Sequence, residues 1–303
     1  MIGSLRLAVT GASGLIGSSL VPALSGAGHQ VTRLVRSAPA AGEIRWNPAA
    51  GELDPNHLEG LDAVVHLAGE NIAGGWWTAE RKRRILESRV QGTRLLAGVL
   101  AGLKSPPKVL VSASAVGYYG DRGDSILTEE SPAGEGFLAA VAEAWESAAK
   151  PARTVGIRVV HLRLGMVLSR AGGALAQMLP PFRLGLGGPL GNGRQWMSWV
   201  ALDDAIGALL HALATETLTG PVNAVAPEPV TNADFTRTLG RVLHRPTLFR
   251  VPASVLRLTL GEMADALLLS CTRVLPHRLL ESGYRFHQPS LEGALRHLLT
   301  RDG

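Results

Sequence analysis

The sequence predicts an α/β protein: a doubly wound parallel sheet followed by a smaller region. Three observations carry this. Short apolar runs recur at intervals that leave room for a helix between them. A glycine-spaced turn joins the first run to a segment with one apolar face. The chain is 303 residues long and 46% apolar, enough for one large domain with a buried core.

The elements follow in order. Residues 5–10 read as a buried strand, and Gly11-Ala-Ser-Gly14-Leu-Ile-Gly17 comes at once after it. Residues 15–25 read as a helix, with Leu15, Ile16, Leu20 and Leu24 on its apolar face, stopped by Gly26-Ala-Gly28. Strands are expected at 31–35, 43–46, 63–67, 108–112 and 158–164. Between them lie a polar helix over about 78–100 and an apolar-faced one over 137–150. After residue 170 the pattern loosens. The glycine-rich 185–193 reads as a loop, 195–199 as a short strand and 202–213 as a helix with Asp203 and Asp204 at its positive end. Thr231 reads as the N-cap of a helix to Leu243, and Ser290 as the cap of a last helix through Leu299.

Composition excludes several classes. A charged share of 18% beside that apolar share rules out a disordered chain. A single cysteine, Cys271, rules out an intrachain disulfide framework and a cysteine zinc cage. The nine histidines have no metal-ligand spacing, and His66 in its apolar strand reads as a satisfied core histidine. No uninterrupted apolar run reaches membrane-spanning length, and the N-terminus leads straight into the first motif. A soluble cytoplasmic protein without a membrane partner is the expectation. Arg81-Lys-Arg-Arg84 reads as a solvated helix face and not a nucleic-acid site, because no wider basic surface accompanies it.

The glycine turn is the strongest signal. Strand, Gly-x-x-Gly-x-x-Gly, helix, strand is the context a dinucleotide fingerprint requires. The glycines permit a tight turn, a close backbone approach to pyrophosphate and close helix–strand packing. The helix N-terminus offers N–H groups and positive potential to the phosphates. The end of the second strand reads Arg33-Leu-Val-Arg36-Ser37, with no acid before Glu43. An acid there would bind the 2′-hydroxyl of NAD, whereas an arginine accommodates a 2′-phosphate, so NADP is the expected cofactor. Residues 1–170 are expected to form this Rossmann-type domain, and 171–303 a substrate-side, mostly helical region with some pieces returning to the sheet.

Thr10-Gly11-Ala-Ser-Gly14-Leu-Ile-Gly17 together with Asp62-Ala-Val-Val-His66-Leu-Ala-Gly69 resembles the extended short-chain dehydrogenase/reductases. Residues 68–77 with Glu87-Ser-Arg89, residues 181–189, and Trp199-Val-Ala-Leu-Asp203-Asp204 look like an atypical "epimerase family" subgroup, nucleoside-diphosphate-sugar epimerase-like. The tail from Val251-Pro252 to Leu299 resembles that subgroup's own C-terminal domain. The resemblance implies cofactor contacts from Gly11, Ser13, Gly14, Leu15, Ile16, Gly17 and Arg36. It implies the same for Leu67 and Ala68 at their strand end, for Arg89, and for Arg163 on the strand leading to the nicotinamide side.

The chain departs from that family where proton transfer is carried. The family's Tyr-x-x-x-Lys dyad is absent: Phe137 and Val141 stand at the two places. Ser114 matches the family's catalytic serine. Tyr118 and Tyr119 follow it and either supply a phenol from the loop or pack over the sheet end. Glu70, just past a strand end, is a further acid/base candidate, with binding or bracing of Arg89 as the favoured alternative. Trp76, Trp77, Trp145, Trp196 and Trp199 wall a pocket or pack in the core. Two functions stay open: an NADP-dependent oxidoreductase or epimerase-like enzyme using hydride transfer on a small molecule, or a non-catalytic NADP-binding redox sensor or regulator. Substrate and oligomeric state are not legible.

Overall fold

A computed structural model describes residues 3–299. The chain begins with β1 (Arg6–Thr10), α1 (Gly17–Gly26), β2 (Gln30–Val35), β3 (Glu43–Asn47), β4 (Glu52–Leu53) and β5 (Ala63–His66). Helix α2 (Ala79–Ala101) leads to β6 (Val109–Ala115), and β7 (Ile126–Leu127), α3 (Phe137–Ser147) and α4 (Lys150–Thr154) lead to β8 (Arg158–Leu164). Then come β9 (Met166–Leu168), α5 (Gly173–Arg183), β10 (Trp196–Met197), β11 (Trp199–Ala201), α6 (Leu202–Ala214), β12 (Gly220–Ala224), β13 (Val230–Thr231) and α7 (Asn232–Leu243). Helix α8 (Ala253–Leu260), a π-helical turn (Ala264–Leu269), β14 (Arg273–Val274), α9 (His277–Glu281) and α10 (Leu291–Leu299) complete it.

The main sheet has the order β12-β8-β6-β5-β1-β2-β3-β4. Every neighbouring pair is parallel except β3 with β4. The chain winds outward from β1 to β3, then returns to the other side of β1 to build β5, β6, β8 and β12. The order therefore reverses between β1 and β5, and a crevice opens at their carboxyl ends.

Alternation along the strands builds two cores. Leu7, Val9, Val65, Val111 and Val160 face α1 and α6 through Leu20, Leu24 and Leu209. Ala8, Val64, Leu110 and Val159 face the other way, onto Leu96, Ala97 and Leu100 of α2 and Ala152 of α4. A third core joins α5, α7 and α10 to β9 and β11, with fully buried Trp199 and Phe235 in it.

The structure departs from the sequence expectation at several points. Strand β12 was hidden by its Gly220-Pro221 start, yet it lies beside β8 in full register. Helix α5 was not expected; it carries Pro180 and Pro181, while Leu175, Leu179 and Phe182 bury one face of it. Asp204 does more than complement the α6 dipole. It is buried, and its carboxylate accepts from Tyr284 Oη at 3.1 Å and from the backbone N–H groups of His287 and Gln288 at 2.8 and 2.9 Å. One carboxylate thus ties the C-terminal segment to α6. The helix caps agree with the sequence: Thr231 Oγ1 accepts from Asp234 N at 3.2 Å, and Ser290 Oγ from Gly293 N at 3.4 Å.

Candidate functional site

The glycine turn lies at the reversal point. Gly11 has φ +68°, and a Cβ there would stand 2.7 Å from the Leu67 carbonyl carbon. The turn is therefore pressed against the end of β5. A Cβ at Gly17 would collide with the Gly11 carbonyl oxygen and lie 2.7 Å from Ala12 Cα. Gly14 N donates to Gly11 O at 3.0 Å, which closes the turn. No side chain caps α1 at Ile16, and its first turn holds no acid. Those two features leave positive potential at the mouth of the crevice. Leu15 reaches across to Gly172 and Gly173 at the start of α5.

Beneath the turn, Thr10 stitches β1 to β5. Its hydroxyl accepts from Leu67 N at 3.1 Å and Ala68 N at 3.3 Å, and donates to His66 Nδ1 at 2.7 Å. Burial holds the His66 pKa down at about 4, so the ring is neutral. His161 on β8 is likewise pulled to about 4 by burial, with Glu146 opposing the shift. An unfolded chain protonates both near pH 6.5. Below that pH the unfolded state takes up protons that the folded state refuses. Stability therefore falls as pH drops from about 6.5 to about 4, by on the order of 3 kcal/mol per histidine, and levels off below. Urea midpoints at neutral pH and near pH 4.5 read this directly. Equal midpoints would refute it.

Arg36 is exposed immediately after β2, and among the described residues no side chain pairs with it. Its neighbour Arg33 is different, being paired with Glu43 at 3.0 Å. Glu70 Oε1 receives Arg81 Nη1 at 2.9 Å, and the Glu70 carbonyl receives Arg89 Nη1 at 3.0 Å. The geometry is that of a brace. Arg89 is buried enough that desolvation lowers its pKa to about 10, and its guanidinium lies 5.0 Å over the Trp145 ring. Arg81 also donates to Asn71 O, with its side chain only 14% exposed. The expectation of a uniformly solvated Arg81–Arg84 face is thus corrected: the tertiary fold buries the first of the four against the 70–74 loop.

The end of β6 holds a polar cluster. Ser114 Oγ donates to Glu146 Oε1 at 2.7 Å. Arg163 clasps the same carboxylate, Nε to Oε1 at 2.7 Å and Nη2 to Oε2 at 2.8 Å, and its Nη1 donates to Tyr119 Oη at 2.9 Å. Tyr119 Oη in turn donates to Asn223 Oδ1 at 2.7 Å. Tyr118 lies flat against this group, with the Arg163 guanidinium 3.5 Å from its ring centre. Burial would lower the Arg163 pKa, but the bonds and charge of Glu146 raise it above the ordinary arginine value.

Several expected residues are thereby re-read. The buried Arg163 guanidinium bonds Glu146 through Nε and Nη2 and Tyr119 through Nη1, so this arginine organises the site from below. Tyr119 is fully buried, and burial pushes its pKa up to about 12 against the pull of Arg163. It packs over the sheet end. Tyr118 is half-buried and Ser114 2% exposed. Phe137, at the first dyad place, packs edge-on to Trp77 at 5.2 Å, with the Lys82 ammonium 5.2 Å from its ring centre. Val141, at the second, is buried. Lys82 also pairs with Glu262, linking α2 to the segment after α8. Trp145 and Trp199 are core residues, Trp76 is exposed, and Trp196 stacks under Arg273 at 4.2 Å. Burial raises the Cys271 pKa, so its thiol is not activated.

Sequence reasoning missed Glu146, Asn223 and Glu129. Glu146 is 32 residues from Ser114 and 17 from Arg163, so no local spacing marks it. Glu129 Oε1 accepts from Asn223 N at 2.9 Å and holds β12 against this cluster. Two surface hollows of 490 and 380 Å³ lie elsewhere, on the outer side of α2 around Arg94. Among the described residues, no group of three or more metal-binding side chains occurs, and no helix is long and apolar enough to cross a membrane.

A glycine cradle at a parallel-sheet reversal point, with a polar cluster on the adjoining strand ends, defines a nucleotide-binding α/β protein of the short-chain dehydrogenase/reductase type. The particular family follows from comparison. The NAD dependent epimerase/dehydratase family matches residues 7–224, and a domain of unknown function, DUF1731, matches 251–298. The chain belongs to this epimerase family. It is 46% identical over 298 residues to an epimerase family protein of Mycobacterium bovis, covering 98% of each. The human epimerase family protein SDR39U1, whose structure was solved with NADPH, superposes with a TM-score of 0.89 at 36% identity, covering 98% of this chain and 100% of that one. A nucleoside-diphosphate sugar epimerase of Corynebacterium glutamicum superposes at 0.80 with 38% identity, over 98% of this chain and 58% of that one.

Proposed function

We propose that the protein binds NADP(H) and acts as an oxidoreductase or epimerase-like enzyme on a small molecule. The observation that carries the cofactor reading is the cradle: Gly11 and Gly17 have no room for a Cβ, the first turn of α1 is free of acid, and Arg36 has no partner among the described residues. Gly11 to Gly17 would hold the pyrophosphate and Arg36 the 2′-phosphate. Leu67 and Ala68 would form the floor, with Arg89 and Glu70 fixing the loop above it. The human relative solved with NADPH supports this choice. Residues 1–170 would carry the cofactor and 171–303 the substrate side, with β12 returning to the sheet.

Bound NADPH supplies a hydride to a carbonyl carbon; the proton for the oxygen then comes from the protein. The Ser114 hydroxyl donates its hydrogen bond to Glu146, so its oxygen lone pairs are what it offers a substrate. It positions a hydroxyl and does not protonate a carbonyl. Tyr118, stacked on Arg163, is the phenol this reading assigns to the proton, because Tyr119 is sealed. Glu146 and Arg163 are positioning residues.

Titration of the purified chain with NADPH and NADH tests the cofactor. NADPH should bind tighter, and Arg36→Ala should weaken it about tenfold while leaving NADH nearly unchanged, as loss of a charge-assisted contact implies. Equal loss for both nucleotides would remove Arg36 from the 2′-phosphate. A carbonyl panel tests turnover, where Tyr118→Phe should lower kcat by about a hundredfold or more, the span of general acid catalysis. One observation favours the sensor reading: the Ser114 hydroxyl is committed to Glu146 and the dyad places hold Phe137 and Val141. NADPH binding without turnover across the panel would establish that alternative.

A further inference from the structure

We propose that the surface formed by the 183–194 loop and the 245–251 segment docks the protein onto an anionic lipid bilayer. The two segments run together: Val251 N donates to Pro189 O at 3.0 Å, Gly191 N to Val251 O at 2.9 Å, and Phe249 N to Gly187 O at 3.4 Å. They present Leu184, Leu186, Leu248 and Phe249, which are 74%, 54%, 82% and 56% exposed. Isolated exposed leucines are ordinary, but four large apolar side chains on two bonded segments form a patch that calls for an occupant.

The charge around the patch selects it. Residues 147–202 and 235–261 contain no aspartate or glutamate. Arg245 Nε donates to Arg183 O at 2.8 Å, and Arg250 Nη2 to Asn192 O at 2.9 Å, so both guanidinia are held along the loop. Among the described residues no carboxylate pairs with Arg183, Arg194, Arg245 or Arg250, whereas the nearby Arg241 and Arg257 are each paired with an acid. Apolar tips ringed by unneutralised arginines match a membrane interface, where the tips enter the acyl boundary and the guanidinia meet lipid phosphates. Nucleic acid would use the arginines but leave the leucines in water. The sequence expectation of no membrane partner rests on the lack of a span, and surface docking requires none.

Co-sedimentation of the full chain with vesicles tests this. Vesicles of phosphatidylcholine mixed with phosphatidylglycerol should bind the protein, and phosphatidylcholine alone should bind it at least about tenfold more weakly. High salt should release it, since screening shortens the reach of each charge. The double variant Leu248→Ser, Phe249→Ser and the double variant Arg245→Gln, Arg250→Gln should each cut binding about tenfold or more while keeping the wild-type melting temperature and NADPH affinity. No sedimentation with anionic vesicles would overturn the proposal. Binding to duplex DNA that survives the Leu248→Ser, Phe249→Ser change would overturn it in favour of a polyanion site. A dimer that this same variant dissociates in sedimentation velocity would overturn it in favour of self-association. The cofactor reading stands or falls separately.

Discussion

Gly17→Ala should abolish measurable NADPH binding and lower stability by about 2–3 kcal/mol or more, the cost of overpacking against atoms that cannot move aside. The added methyl would meet the Gly11 carbonyl oxygen, Ala12 Cα and the Gly11 carbonyl carbon. All three belong to the backbone of the turn, so α1 has to move outward from β1. That movement opens the cradle and re-aims the N-terminal N–H groups, coupling stability to nucleotide affinity. Gly98→Ala is the matched comparison. Gly98 lies within α2, and a Cβ there meets nothing within 4 Å. Its substitution should be neutral or stabilising by up to about 1 kcal/mol, through helix propensity alone. Melting curves and nucleotide titrations on the two variants read both effects. A Gly17→Ala protein that binds NADPH like the wild type would mean that the turn is not the nucleotide site.

Glu146→Ala should be the most destabilising change at the strand-end cluster, by about 3–5 kcal/mol, because it leaves a buried guanidinium without its counter-charge. The Arg163 side chain is 3% exposed. Ser114 would also lose the acceptor of its hydroxyl proton. Glu146→Gln keeps the shape and one acceptor oxygen, so it should cost less. Changing both partners, Glu146→Leu with Arg163→Met, should recover much of the loss, since neither charge is then stranded. A double-mutant cycle from urea midpoints measures this coupling. Additive losses would show that the pair is not a unit. If the cluster positions Ser114 as proposed, the double variant should be folded yet impaired in turnover.

Much of this was legible in the sequence, and the reason is local. The strand, glycine turn and helix at the N-terminus depend on contiguous residues, so β1, the turn and α1 could be read from spacing. Strands rich in apolar residues on both faces, such as 63–67 and 108–112, announced a sheet covered on both faces. Caps at Thr231 and Ser290 were visible for the same reason. What failed was non-local. Strand β12 has a poor local signal and exists because β8 and Glu129 hold it. Helix α5 survives two prolines because its apolar face closes the third core.

The family resemblance was therefore legible in sequence alone, in motifs of contiguous residues. Which side chains meet at the strand ends was decided by the tertiary structure. Ser114 and Arg163 come from two strand ends, Glu146 from a helix, Tyr119 from the turn after β6, and Asn223 from a third strand. Only packing brings them within hydrogen-bond reach. Burial then separated Tyr119 from Tyr118 and set Arg163 in an ion pair with Glu146, since a guanidinium removed from water has to be satisfied by the protein around it.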